Sequence, residues 1–190
     1  GEDGGQMPPK EADALTEYVR SVENMLEIEV LSKEDLLSKG LLTMIGEDVD
    51  SEYLENVKSV TVNPALVKEM SKEMKLVYTP LHGTGKMIGE KALKNAGFES
   101  IYLVPEQAEA DPDFSTVKSP NPEEPGAFEY AIKLGKEIDA DVLVATDPDA
   151  DRLGVYAKDT KTGKYVSFTG NMSGMLIAEY ILREKKAGGQ

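Results

Sequence analysis

Val142-Leu143-Val144-Ala145-Thr146-Asp147-Pro148-Asp149-Ala150-Asp151-Arg152 is the stretch on which the architecture turns. Val142 to Ala145 is a short, unbroken apolar run, the pattern of a strand covered on both faces. Three aspartates follow at alternate positions. In open α/β sheets ligands gather at the carboxyl ends of the strands, so a buried strand running into an acidic loop reads as a strand with a functional edge.

Two further apolar runs lie upstream, Leu76-Val77-Tyr78 and Ile101-Tyr102-Leu103-Val104. Between them Ile88, Ala92 and Ala96 share one helical face, and Gly97 is placed to cap that helix. Pro105 to Pro125 holds five of the ten prolines and reads as a long loop. Glu123 to Ile138 reads as a helix with Phe128, Ala131, Ile132, Gly135 and Ile138 inward. Strands alternating with helices predict βαβαβ, a parallel sheet with helices on both faces. Downstream, Leu153–Ala157 and Tyr165–Phe168 flank a Thr162-Gly163 turn and predict a hairpin added to the sheet. Gly170 to Lys185 predicts a closing helix.

The first seventy residues read as helical. Ala12, Leu15, Val19, Val22 and Leu26 make a stripe behind Pro8-Pro9. Ser32 to Leu42 is a short helix with Gly40 as its interruption. Asp50 and Asn63 are candidate N-caps for two more, the second with Pro64 in its first position. The fold class expected is therefore α/β: a three-layer α/β/α domain with a mainly parallel sheet plus an added hairpin, preceded by a helical segment.

Composition narrows the chemistry. The 190 residues carry 21 Lys+Arg against 35 Asp+Glu, a net charge of −14. That disfavours nucleic acid and anionic membrane surfaces, both of which need clustered cations. No apolar run approaches the ~18 residues of a membrane span. No Cys is present and His82 is the one histidine, so thiol chemistry and Cys or His-cluster metal sites are excluded. A metal here must be held by carboxylates, which selects a hard cation such as Mg²⁺. The chain opens Gly1-Glu2-Asp3-Gly4-Gly5 and closes Gly188-Gly189-Gln190, with no Met and no signal-peptide pattern. Both ends read as cuts in a longer polypeptide, and a cytoplasmic protein is expected.

Asp147, Asp149 and Asp151 are the candidate metal ligands. Alternate residues of an extended loop share a side, so the three carboxylates should converge. Their mutual repulsion falls when a divalent cation sits among them. Arg152 follows with a planar fork suited to phosphate. An EF-hand does not fit, because its sixth and twelfth positions hold Arg152 and Lys158 where Gly and Glu are needed. A haloacid-dehalogenase-type phosphatase, with Asp147 as nucleophile, is an alternative; Asp151 stands where that motif has Thr or Val.

A second candidate is Thr79-Pro80-Leu81-His82-Gly83-Thr84-Gly85, between the first strand and its helix. Glycines at a helix N-terminus let backbone N–H groups approach an anion, although a tight strand-to-helix turn has the same composition. It is not a P-loop. His82 is either a group titrating near neutrality or a structural hydrogen-bonding residue. Lys118, in the stiff loop Lys118-Ser119-Pro120-Asn121-Pro122, either reaches a phosphate or is a solvated surface lysine.

Taken together these motifs resemble the α-D-phosphohexomutases, the phosphoglucomutase/phosphomannomutase superfamily. Thr146 to Leu153 is similar to their DPDADR metal loop, and Thr79 to Gly85 to their TPLHGTG loop. Val104–Gln107 and Asn121–Pro125 are similar to the VPEQ…PNPEEP stretch. Thr169-Gly170-Asn171 resembles the TGNQ segment that opens the third domain, with Met172 in place of Gln, and Gly4-Gly5-Gln6 resembles the end of the first. The resemblance implies residues 1–72 running from the first domain into the second, 73–168 as the metal-binding second domain, and 169–190 as the helix opening the third. It also implies an isomerase that interconverts hexose 1-phosphate and hexose 6-phosphate, glucose or mannose, through a phosphoserine and a bisphosphate intermediate.

By the same resemblance one Mg²⁺ is held by Asp147, Asp149 and Asp151, and Arg152 contacts phosphate. His82, Gly83, Thr84, Gly85 and Lys118 are substrate-proximal, and a sugar bisphosphate activates the intact enzyme. No Ser-His pair and no Gly-Glu-x-Ser-Gly stretch occur, so the phosphoserine loop and the sugar-reading loop are absent. The expected partners are a hexose phosphate and the missing first, third and fourth domains. A pentose phosphate mutase of the same family and a non-catalytic divalent-cation module are the remaining alternatives.

Overall fold

The structure is a computed structural model that describes residues 4–188. The terminal residues Gly1–Asp3 and Gly189–Gln190, which entered the expectation of a cut chain, lie outside the described residues. The chain forms two compact units, one ending at Ile45 and one beginning at Gly46.

The first unit holds α1 (Pro9–Arg20), a 3₁₀ turn at Met25–Glu27 and α2 (Lys33–Ser38). The predicted stripe from Ala12 to Leu26 is longer than the helix that forms. α1 stops at Arg20, and the Ser21 hydroxyl bonds back to the Tyr18 carbonyl at 2.7 Å. Asn24 then caps a separate turn through the Leu26 N–H, so Val22 and Leu26 fall off the helix. Short polar side chains compete with the helical backbone in this way. α2 begins where Ser32 Oγ accepts the Asp35 N–H and ends before Gly40, which has a φ of +65°. No described residue of this unit is buried.

The second unit begins with α3 (Glu47–Ser59) and α4 (Pro64–Met70). α3 starts three residues before the expected cap: Gly46 is its N-cap, and Asp50 lies in the first turn beside Glu47 and Asp48. Carboxylates there favour the positive end of the helix dipole without capping it. Asn63 caps α4 as predicted, its Oδ1 accepting the Leu66 N–H at 3.1 Å.

Then come β1 (Lys75–Thr79), α5 (Gly85–Ala96), β2 (Ser100–Leu103), α6 (Glu129–Ile138), β3 (Val142–Thr146), β4 (Leu153–Lys158), β5 (Tyr165–Phe168) and α7 (Gly170–Ala187). The sheet order is β2-β1-β3-β4-β5. β1 pairs parallel with both neighbours, Val77 standing opposite Tyr102 and Leu143. β4 and β5 run antiparallel and extend the sheet as the hairpin predicted from the Thr162-Gly163 turn.

The chain leaves β1 for β2 on one side and returns past β1 to β3 on the other. Right-handed crossovers in opposite directions put α5 and α6 on opposite faces. β1, the middle of the three parallel strands, is accordingly buried from Leu76 to Thr79. Val77, Leu143 and Ala145 pack with Phe128 and Ala131 on the α6 side. Tyr78 points the other way, under Gly85 and Gly89 of α5.

α6 is shorter than the helix expected from Glu123. Asn121 holds a turn, its Oδ1 accepting the Glu123 N–H and its carbonyl accepting that of Glu124. A 3₁₀ turn at Pro125–Phe128 precedes the α-helix. No described helix is long and apolar enough to cross a membrane.

Candidate metal centre

The loops after β1 and β3 leave neighbouring parallel strands at their carboxyl ends, the first leading into α5 and the second turning straight into antiparallel β4. Ligands of open α/β sheets bind outside the carboxyl ends of the strands. The residues singled out on Thr79–Gly85 and on Asp147–Arg152 therefore meet.

The acid loop is not extended. Asp147 accepts the Ala150 N–H on its carbonyl at 3.0 Å, closing a turn with Pro148 at its second position, and Ala150 has a left-handed φ of +62°. The carboxylates of Asp147, Asp149 and Asp151 do converge, one oxygen of each lying within 4.8 Å of the others. They converge through the turn rather than through strand-like alternation.

Asp147 is fully buried, whereas Asp149 and Asp151 are exposed. Arg152 takes both Asp147 oxygens: its backbone N–H donates to Oδ1 at 3.0 Å and its Nε to Oδ2 at 2.7 Å. Burial pushes the Asp147 carboxyl up, but the N–H and guanidinium of Arg152 together outweigh it and hold the group below the usual carboxylate range. Asp151 moves the opposite way, raised first by the charge of Asp149 and then by that of Asp147. The donor set is oxygen only and carries three negative charges against one guanidinium, which fits a hard divalent cation. Arg152 Nη1 and Nη2 have no hydrogen-bond partner among the described residues and remain available to an anion.

The Thr79–Gly85 loop backs this turn. Thr84 donates both its N–H (2.8 Å) and its hydroxyl (3.1 Å) to the Pro148 carbonyl. The amide of His82 goes to the Gln107 carbonyl and that of Gly83 to Pro80. Three successive amides are thus engaged within the protein, and the loop grips the acid turn instead of presenting those N–H groups to an anion. Gly85 leaves room for Tyr78 and Thr146, whose hydroxyls are 3.0 Å apart directly before Asp147.

His82 is structural in its contacts. Its Nδ1 faces the Glu109 carbonyl at 2.8 Å and therefore donates; Nε2 lies 2.8 Å from the Thr116 hydroxyl and in the neutral ring accepts from it. Both ring nitrogens are turned away from the acid loop, and φ is +64°. Lys118 is exposed in a separate pocket that includes Ser115, Ser119 and Glu124 and no residue of Asp147–Arg152.

The supporting residues Tyr78, Gln107 and Thr116 were not singled out by chemistry in the sequence. For Gln107 a signal existed: it is the lone neutral amide in the Val104–Gln107 stretch that closes β2, and it is fully buried.

A family model described as phosphoglucomutase/phosphomannomutase, alpha/beta/alpha domain II, matches residues 51–163. A phosphoglucomutase of Staphylococcus haemolyticus (strain JCSC1435) is 35% identical over 183 residues, 96% of this chain and 32% of its own length. A phosphoglucomutase of Staphylococcus aureus (strain N315) is 32% identical over 186 residues, 97% of this chain and 32% of its own. A solved phosphoglucomutase/phosphomannomutase family protein from Burkholderia thailandensis aligns over 62% of this chain and 23% of that one, at 26% identity and a TM-score of 0.45. The chain thus spans about a third of the length of the curated relatives it matches. Carrying the domain II match over more than half its length, the chain belongs to the phosphoglucomutase/phosphomannomutase family.

Proposed function

We propose that this chain supplies the Mg²⁺-binding loop of a phosphohexomutase. The parent protein is an isomerase, an intramolecular phosphotransferase that interconverts hexose 1-phosphate and hexose 6-phosphate, glucose or mannose, through a phosphoserine and a bisphosphate intermediate. Residues 73–168 are its second domain; 1–72 run into it from the first, and 169–190 open the third. The first, third and fourth domains carry the serine, the sugar-reading loop and the substrate phosphate site. A sugar bisphosphate serves as activator, and the enzyme works in the cytoplasm.

The observation that carries this reading is the convergence of Asp147, Asp149 and Asp151 within 4.8 Å beside an arginine with free Nη1 and Nη2 groups. These three carboxylates would hold one Mg²⁺, and Arg152 would receive phosphate oxygens. When bound, the ion supplies charge neutralisation for phosphoryl transfer, a reaction in which positioning and electrostatics dominate. Arg152 adds fixed positive charge on the same side and, through Asp147, sets the turn that orients the carboxylates. Because Arg152 occupies both oxygens of buried Asp147, the geometry favours a ligand or charge-setting role for that residue over a nucleophilic one.

Three protein oxygens leave an octahedral ion short of ligands, so binding by the isolated chain should be weak. Titrating Mg²⁺ while following amide shifts by NMR tests the reading. The largest shifts should cluster between Asp147 and Arg152 and vanish in Asp149→Ala. Shifts spread over the acidic surface and unchanged in that variant would show only diffuse counterion attraction.

A further inference from the structure

We propose that Gln107 is a positioning residue for the acid loop, holding the Thr79–Gly85 loop in the shape that fixes the Pro148 turn. Gln107 lies about forty residues from the aspartates in sequence, is fully buried, and hydrogen-bonds to none of them.

Its backbone carbonyl accepts the His82 N–H at 2.9 Å. Its side-chain Oε1 accepts the Thr79 hydroxyl at 2.8 Å, and its Nε2 donates to Thr116 Oγ1 at 3.2 Å. Thr79 Oγ1 in turn accepts the Leu81 N–H at 3.1 Å. The directions are mutually consistent. Nδ1 of His82 donates to a carbonyl, and in the neutral ring Nε2 accepts from Thr116, whose oxygen still has a lone pair to accept from Gln107. One amide thereby governs both residues of the loop that hold left-handed backbones, Leu81 (φ +47°) and His82 (φ +64°). Such conformations are unfavourable for these residue types and persist only where surrounding bonds impose them.

The chain leaves His82 as Gly83 and Thr84, which rest on Pro148. A Cβ on Gly83 would lie 2.4 Å from Pro148 Cα, and the Thr84 N–H and hydroxyl both end on the Pro148 carbonyl. Pro148 separates Asp147 from Asp149. A change at Gln107 therefore reaches the carboxylates through two left-handed residues and one backbone contact. Buried polar networks of this kind rigidify a single arrangement when every member is satisfied, and no buried side-chain polar atom among the described residues lacks a partner.

The metal part of the test rests on the Mg²⁺ reading above, so a metal-independent measurement accompanies it. Gln107→Met keeps the volume and removes both side-chain bonds. Leu54→Ala, buried between α3 and the far half of α5, serves as a variant that loses stability elsewhere. Both are compared with the unaltered chain at a temperature where all three are folded. The first measurement is hydrogen exchange at the Thr84 amide without metal. The second is Mg²⁺ affinity from the amide shifts of Asp149 to Arg152.

Expected are at least tenfold faster Thr84 exchange and at least threefold weaker Mg²⁺ binding in Gln107→Met, with Leu54→Ala within twofold of the unaltered chain on both. Unchanged Thr84 exchange in Gln107→Met overturns the proposal, as does an equal loss in Leu54→Ala. If the unaltered chain shows no localised Mg²⁺ shifts, the metal reading fails, and the Thr84 exchange alone decides whether Gln107 positions the turn.

Discussion

Gly83 and Pro148 touch so closely that a Cβ on Gly83 would lie 2.4 Å from the Pro148 Cα and 2.6 Å from its carbonyl oxygen. The two residues are far apart in sequence and sit on loops from adjacent strands. Their contact makes the strand-to-helix loop after β1 the floor of the acid turn after β3. The neighbouring Thr84 bonds to the same carbonyl, so steric fit and hydrogen bonding hold one point.

Gly83→Ala should therefore destabilise the chain by about 1–3 kcal/mol, the usual cost of overpacking a close contact that backbone atoms cannot relieve. It should also weaken localised Mg²⁺ binding, because Pro148 must move to admit the methyl group. Gly126→Ala is the control: a Cβ there meets nothing within 4 Å. Thermal melts of the two variants beside the unaltered chain check this, and equal melting temperatures for Gly83→Ala and the unaltered chain would contradict it.

Removing the arginine fork should expose the dependence of Asp147 on it. Arg152→Met leaves a fully buried carboxylate without its charged partner. Orphaning one member of a buried pair is destabilising, and exposure of the guanidinium to solvent lessens the loss here. Added Mg²⁺ should restore part of the loss by supplying the missing positive charge. Denaturant melts with and without Mg²⁺ measure both effects; a variant as stable as the unaltered chain in metal-free buffer would show that Asp147 does not need the pair.

The hairpin turn predicts an acid-sensitive contribution. The Thr162 hydroxyl and then the Lys161 N–H hold the Asp159 carboxyl below its usual range. A carboxyl with a lower pKa folded than unfolded stabilises the fold fully above its unfolded value, about 3.9. That stability is lost as the pH falls through the folded value. The melting temperature of Asp159→Asn should thus lie below that of the unaltered chain from pH 5 to 7, with the gap closing as the pH falls from about 3.9 through the lower folded-state value. A gap independent of pH would locate the effect in packing rather than in ionisation.

The isolated chain should leave glucose 1-phosphate unconverted, even with Mg²⁺ and the bisphosphate activator. The proposed route passes the phosphoryl group through a serine, and the chain has no Ser-His pair, so nothing in it would take up that group and return it. An aryl phosphate should also survive, since buried Asp147 is engaged at both oxygens. Isomerisation by a preparation free of host mutase would overturn the first expectation, and aryl phosphate turnover dependent on Asp147 would restore the phosphatase alternative.

Much of this was legible in the residues themselves. Short apolar runs such as Leu76–Tyr78 and Val142–Ala145 read as strands, and their alternation with helices pointed to the parallel sheet and to the edge at which Asp147 would lie; β1 is buried from Leu76 onward, whereas Val142 and Val144 of β3 are half-buried. Local chemistry was equally readable at Asn63, whose side chain caps α4, and at Gly97, which ends α5 with a φ of +108°. Both depend on neighbours within a few positions. What the residues could not disclose was anything set by loops meeting across the sheet. That His82 turns both ring nitrogens to Glu109 and Thr116, that Thr84 serves Pro148 instead of an anion, and that buried Gln107 organises them all follow from the placement of three separate segments. The convergence of the carboxylates was predicted for the wrong reason, since alternation belongs to extended backbone and the loop is a turn closed by Asp147 and Ala150. Sequence order encodes periodicity and capping because these are short-range; the direction of a side chain in a loop depends on which distant partner reaches it first, and only the folded chain determines that.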